Sequence, residues 1–385
     1  MKIVIAPDKF KGSLTAIEAA NAIAEGVRRI LPDAQLDLCP IADGGEGTVA
    51  ALVAATGGRT ETRRVTGPLA EMKVDASFGI LGNGKTAAVE MAAASGLALL
   101  PDQERNPLFT TTYGTGELLM AAAALGVREI ILGIGGSATI DAGVGCAQAC
   151  GLPVILEGGE PVSPGEPLTG GDLSRVVLVK HGRGSPIERV SITVACDVTN
   201  PLFGPSGAAF VYGPQKGATP EIVRDLDDAL RAFAQRTGKL AEAQAPGAGA
   251  AGGLGFAMLA FFGATLRPGA DLIIDATDLR QRLRGADLCI TGEGRLDASS
   301  HHGKAPMAVA QLCQEVGVPC AAIAGCVGEG EFSHMLIRHR AITSGGIAIE
   351  EAMERAAPLL SDAAAAFVSE ITAKNFPFPR RSNLS

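Results

Sequence analysis

Four loops of this chain set charged or hydroxyl side chains among glycines at the ends of apolar runs. In PDKFKGSL, Asp8, Lys9, Lys11 and Ser13 offer cations and a hydroxyl just ahead of a helix, a combination suited to a carboxylate or a transferred phosphoryl group. In ADGGEG, Asp43 and Glu46 flank Gly44, Gly45 and Gly47. That pattern suits a hard cation, because Mg²⁺ takes one or two carboxylates together with phosphate oxygens. The third loop, EIILGIGGSATIDAGVG, runs from Glu129 to Gly145 and carries Ser137, Thr139 and Asp141 between an apolar strand and an alanine-rich helical stretch. Its glycines let backbone approach a phosphate, and the N–H groups and dipole of a following helix favour negative charge. The fourth, ITGEGRLD, puts Glu293, Arg295 and Asp297 in a further glycine turn. Phosphoryl transfer needs positioned cations, a metal bridging phosphate oxygens and a group that orients the acceptor hydroxyl, and these loops hold all three kinds.

Three other motifs compete with that reading. Gly79 to Thr86, GILGNGKT, spells a P-loop, and LIID at Leu272 to Asp275 has the look of its metal-binding strand. The preceding VDASFGIL alternates, however, and Asn83-Gly84 is a hairpin signal, so the segment reads as a turn between antiparallel strands. Gly133-x-Gly135-x-x-Ala138, with Glu157 after the next apolar run, fits a relaxed dinucleotide fingerprint. Asp141 weighs against it, since a carboxylate beside a pyrophosphate repels it unless a metal lies between. His301 and His302 are adjacent in sequence and diverge in space, which gives a polar loop before Lys304 rather than a metal pair.

The elements that must carry these loops follow from period and punctuation. Lys2 to Pro7 is an apolar strand, and Thr15 and Glu18 have capping-box spacing ahead of a helix that places Ile17, Ala20, Ala24, Val27 and Ile30 on one face. A strand from Gln35 to Cys39 and a helix from Thr48 to Ala55 repeat the pattern, opening a parallel sheet whose loops lie at strand carboxyl ends. Arg63 to Met91 reads instead as antiparallel strands, and βα texture returns after Asp275, with ADLCITGEG, a helix at Pro306 to Val316, and strands PCAAIAG and AITSGG. The ends of the chain therefore share one sheet and the middle is inserted. NFPFPRRSNLS reads as a loose tail.

Composition agrees with a large α/β enzyme. The chain has 385 residues, 47% hydrophobic, with 50 glycines and no tryptophan, which exceeds one compact core and predicts two domains. A net charge of −8 gives no footprint for nucleic acid or an anionic membrane. Eight cysteines without a C-x-x-C pair or clustered histidines read as small buried hydrophobes in a reducing, cytoplasmic setting. The opening strand lacks the features of a signal peptide.

Taken in order, PDKFKGSL, ADGGEGT, GIGGSATIDAG, ACDVTNPLFGPSGAA, YGPQKGA, PGAGAAGGLG and ITGEGRLD with GKAP make the chain similar to the bacterial glycerate kinase family, and within it to the glycerate 2-kinase group of the glyoxylate and sugar-acid pathways. The resemblance runs from Lys2 to about Ala357. It implies ATP, Mg²⁺, D-glycerate as acceptor and 2-phosphoglycerate as product. It also implies an α/β fold with a Rossmann-like parallel-sheet domain, residues 1–62 plus 283–385, a second mixed α/β domain inserted at 63–282, and an active site in the cleft between them. Carried over by position, Gly135, Gly136, Ser137, Thr139, Gly292 and Gly294 are expected at the nucleotide, Lys9, Lys11, Ser13 and Asn200 at glycerate, and Asp43 and Glu46 at the metal. Asp197, Lys9 and Asp43 are the expected catalytic residues, Asp197 orienting or deprotonating the acceptor hydroxyl; an Asx-turn into Asn200-Pro201 is the structural alternative for Asp197. Ile140 stands where the resemblance leads one to expect Asn, and Ser299 where Gln is expected. A nicotinamide-dependent hydroxy-acid oxidoreductase and a non-enzymatic sugar-acid sensor remain as alternatives, and the expected assembly is a monomer or homodimer.

Overall fold

The computed structural model describes residues 1–373 apart from 160, 164, 180–183, 302–304 and 344–346. His302, Lys304 of GKAP, the last half of AITSGG and the NFPFPRRSNLS tail lie outside the described residues, as do the side chains of Ser299 and His301. The chain divides into two compact units, one of Met1–Asp43, Ala50–Thr56 and Ala270–Ser385, the other of Gly44–Val49 and Gly57–Gly269.

The chain begins in the first unit with β1 (Lys2–Pro7) and β2 (Gln35–Leu38), joined through the helix Ala16–Ile30. Thr15 and Glu18 form the capping box: the Glu18 N–H donates to Thr15 Oγ1, and the Thr15 N–H donates to Glu18 Oε2 at 2.8 Å. The buried face centres on Ala20, Ile23, Ala24 and Val27, while Ile30 turns outward at 38% exposure, a rotation that periodicity alone did not fix.

In the second unit the chain forms β3 (Arg59–Thr66), β4 (Lys73–Ile80), β5 (Thr86–Glu90), β6 (Glu129–Gly133), β7 (Val154–Leu156), β8 (Val176–Val179), β9 (Ser191–Ala195) and β10 (Thr265–Arg267). Six of these make one sheet in the order β10-β9-β6-β5-β4-β3, parallel from β10 to β5 and antiparallel from β5 to β3. GILGNGKT is the β4–β5 hairpin: Asn83 Oδ1 accepts the N–H groups of Lys85 and Thr86, and Gly84 takes a positive φ of 64°. LIID lies in the helix Gly269–Ala276 and not in a strand, so both halves of the P-loop reading fall away. The dinucleotide reading fails too. Glu157 follows β7, which pairs antiparallel with β8 in a separate two-stranded sheet and never lies beside β6.

The chain completes the first unit with β11 (Leu288–Leu296), β12 (Cys320–Val327) and β13 (Arg338–Ala341), giving an all-parallel sheet in the order β13-β12-β11-β1-β2. β13 ends where AITSGG begins, so the last strand precedes its expected place. Ile3, Ile5, Leu288 and Ile290 pack toward the helices Ala16–Ile30 and Ala356–Ala373. These helices cross closely at Gly26, where a Cβ would collide with the Ser361 carbonyl. Cys289, alternating between Leu288 and Ile290, faces the other way and meets Cys313 of the helix Ala305–Val316 and Cys320, the three sulfurs all within 4.8 Å. Both faces of the sheet are covered, as parallel sheets require.

The division between units departs from the 62/63 and 282/283 boundaries for identifiable reasons. β3 already pairs with β4 from Arg59 onward. Arg282 ties its segment to the first unit by bonding Asp37 Oδ1 at 2.6 Å and the Ala55 carbonyl. Among the described residues no helix is long and apolar enough to cross a membrane.

Candidate active site

In the first unit, the loop after β1 opens onto a cavity of about 420 Å³. Asp8 sits at its floor, 7% exposed, its N–H donated to the Gly292 carbonyl at 2.8 Å and its Oδ1 accepting the Lys9 N–H at 2.7 Å. Burial pushes the Asp8 carboxyl up to about 7; Asp43 and Glu293 add to the rise, and Lys9 opposes it. Lys9 Nζ lies 3.9 Å from Asp43 Oδ1. Glu293 is buried and accepts the Ser300 hydroxyl at 2.7 Å. Lys11 is exposed on the cavity lining, and Ser13 donates its hydroxyl proton to the Phe10 carbonyl at 3.0 Å. The structure thus gathers Lys9, Lys11, Ser13 and Asp43 as expected and adds Asp8 and Glu293 to them.

ITGEGRLD is not a turn. It is the second half of β11, with Gly292 paired to Ile323 and Glu293 to Ala324 of β12. A Cβ on Gly292 would collide with the Ile323 carbonyl, so this glycine serves backbone approach inside the sheet. Gly294 lines the cavity, where a Cβ would stand 3.1 Å from the Lys11 nitrogen.

In the second unit, the carboxyl ends of the parallel strands meet the glycines of ADGGEG. A Cβ on Gly133 would stand 2.6 Å from the Gly44 carbonyl oxygen, and one on Gly135 3.2 Å from Gly45 Cα, so the two glycine segments touch backbone to backbone. Glu90, at the end of β5, accepts the N–H groups of Val49 at 2.7 Å and Gly47 at 3.3 Å. Gly135 and Gly136 are exposed, Gly136 with φ of 73°, while Ser137 and Thr139 are buried. Glu46 is exposed. Asp197 follows β9, exposed, with Oδ1 accepting the Gly269 N–H at 2.8 Å. The Asn200 Nδ2 donates to the Ser206 carbonyl and its Oδ1 accepts the Tyr212 hydroxyl, each at 2.7 Å, which leaves one donor proton and one lone pair of the amide for a ligand.

The helix-end cradle needs a second correction. The helix after the glycine turn is short, Val144–Ala149, and the chain supplies its own anion there. Asp141, fully buried, accepts hydrogen bonds from the Thr112 N–H and hydroxyl at 2.8 and 2.7 Å and from the N–H groups of Gly143 and Gly145 at 3.0 and 3.3 Å. Burial raises its pKa and these bonds oppose the rise. A carboxylate so engaged is a structural keystone of the turn. Ala142, at a φ of 51°, and Gly252, whose carbonyl accepts the Ala142 N–H at 3.1 Å, lock the turn from behind, which is what PGAGAAGGLG does here. Ile140, at the position of the expected Asn, is buried in the apolar core.

One residue the loop reading passed over is Lys216 in YGPQKGA. It is 2% exposed, and its ammonium donates to Ser137 Oγ at 2.6 Å and to the Thr139 carbonyl at 2.7 Å. The contact spans 79 positions, and a lone lysine beside glycine carries no signal of it.

The family model for the glycerate kinase family matches residues 3–372. Among curated proteins, glycerate kinase of Halalkalibacterium halodurans is 48% identical over 370 residues, 94% of this chain and 96% of that one. Glycerate 2-kinase of Escherichia coli is 48% identical over 329 residues, 84% and 85% of the respective chains. A crystal structure of a Salmonella typhimurium LT2 protein assigned as glycerate kinase 2 superposes with a TM-score of 0.85 at 42% identity, covering 97% of this chain and 99% of that one.

Proposed function

The chain belongs to the glycerate kinase family, and on that premise we propose that it transfers a phosphoryl group from ATP to D-glycerate, with 2-phosphoglycerate as product. The observation that carries this is the span of the match, 3–372, which takes in the charged loops of both units. A hydride-transfer enzyme lacks support, because the fingerprint glycines do not lead into a parallel strand carrying Glu157.

The cavity of the first unit suits glycerate. Lys9 and Lys11 supply positive charge for its carboxylate, while Ser13 offers only lone pairs, its proton being committed to Phe10. Asp43 with Asp8 would hold Mg²⁺, and the raised Asp8 carboxyl supports that fit, since crowded negative charge at a buried site is relieved by a cation. Among the described residues no three carboxylates converge within 4.8 Å, so such an ion would complete its shell with phosphate oxygens and water. The bound ion would neutralise charge on the transferred group. Gly135, Gly136, Ser137 and Thr139 would meet the nucleotide's phosphates, and Asp197 would orient the acceptor hydroxyl. Transfer requires both sets of residues to act on one pair of substrates.

A coupled assay with ATP, Mg²⁺ and D-glycerate should show turnover, and phosphorus NMR should show phosphate on the 2-hydroxyl. No turnover would end the kinase reading. Asp197→Asn is expected to lower kcat about 10- to 100-fold with a much smaller change in KM, as for a group acting mainly in the transition state. Unchanged kcat would remove Asp197 from the reaction.

A further inference from the structure

Lys216 is a buried cation that the reaction as described above does not use. Its backbone is fixed: it ends the turn Pro214–Lys216, and the next residue, Gly217, has a φ of 88° and no room for a Cβ against the Arg105 carbonyl. Two of its three ammonium protons go to Ser137 Oγ and the Thr139 carbonyl, and Tyr212 lies with its ring centroid 5.9 Å from Nζ. An ammonium group has no lone pair and can only donate. While Lys216 is charged, Ser137 Oγ therefore accepts, which leaves the Ser137 hydroxyl proton for another partner. Next to it, Thr139 Oγ1 is buried without a hydrogen-bond partner among the described residues, an arrangement folded proteins seldom leave unexplained. The turn also exposes Gly135 and Gly136.

We propose that Lys216 is a positioning residue for the nucleotide's phosphates: by donating to Ser137 Oγ it directs the Ser137 hydroxyl proton to a phosphoryl oxygen, while its bond to the Thr139 carbonyl anchors the ammonium in place. This rests on placing the nucleotide at the Gly135–Thr139 turn. Burial lowers the Lys216 pKa to about 7 and the nearby Asp141 charge opposes the fall; an anionic ligand at Ser137 would strengthen the charged form. Since Lys216 acts through Ser137, removing either should cost the same interaction.

The test is a double-mutant cycle on the full chain, with the ATP dissociation constant measured calorimetrically and KM for D-glycerate measured in the coupled assay. Ser137→Ala and Lys216→Met are each expected to weaken ATP binding about 10- to 30-fold, with the double variant within about 3-fold of either single one. KM for D-glycerate should stay within about 2-fold of the unmodified enzyme in all three. If Lys216→Met retains full ATP affinity while Ser137→Ala loses it, or if the two losses multiply, the positioning role is overturned and the nucleotide placement survives. If neither single variant changes ATP affinity, both fall. Should Lys216→Met not fold, Lys216→Gln replaces it; this keeps an N–H donor without charge, and its expected loss of about 3- to 10-fold must likewise vanish in the Ser137→Ala background.

Discussion

Asparagine at position 8 is expected to give a protein that is harder to unfold and nearly inactive. The folded-state pKa of Asp8 is raised from 3.8 to about 7, so the folded protein binds this proton more tightly than the unfolded chain does. Its contribution to stability is fully present below pH 3.8 and is lost as pH rises through about 7. At pH 8 the ionised carboxylate sits in its buried place at a cost whose ceiling is about 4 kcal/mol by linkage. Asparagine removes the charge and keeps an oxygen for the Lys9 N–H, so a gain of about 1–3 kcal/mol is expected at pH 8 and almost none at pH 4. Urea unfolding at the two pH values measures this. Turnover should fall about 10²- to 10³-fold, because the position would lose a metal ligand. Saturating Mg²⁺ should stabilise the unmodified protein more than the variant. A variant less stable at pH 8, or one that turns over normally, would contradict the assignment.

Asp141→Ala should act in the opposite sense, through the fold. The substitution strands four donors, from Thr112, Gly143 and Gly145, in a fully buried place. Losing a buried, multiply bonded carboxylate costs about 3–5 kcal/mol. For a chain of this size that is a fall in Tm of about 4–6 °C. Calorimetry or circular dichroism would read it. If Asp141 were instead a metal ligand, stability would change little and the Mg²⁺ concentration needed for turnover would rise, an outcome that would overturn its structural role.

The contrast between these residues shows what could be read from the chain alone. Lys9, Lys11 and Ser13 were legible as a group because they are local: a strand, a charged loop and a capped helix follow one another directly, whereas the burial that sets Asp8 apart was not. The antiparallel hairpin at Asn83-Gly84 was legible for the same reason. Asp141 and Lys216 were not, since their roles are set by Thr112, 29 positions away, and by Ser137, 79 positions away. Glycine was the other source of error. A glycine beside charge reads as a turn, yet Gly292 is a strand residue whose missing side chain admits the neighbouring Ile323 carbonyl. Turn and close approach make the same demand on sequence, and only the partner strand separates them.

The way the chain is apportioned between its units bears on how such a protein can be cut and recombined. The chain passes from one unit to the other after Asp43, Val49, Thr56 and Gly269. Neither unit is therefore a contiguous stretch of gene, and a single crossover at any of those points splits at least one unit. Expressed alone, residues 57–269 would lack the Gly44–Val49 strip whose amides bond Glu90 and whose glycines back the Gly133–Gly135 turn. The two units are inherited as one cassette, and swapping the second unit for another family's would require four joints rather than one.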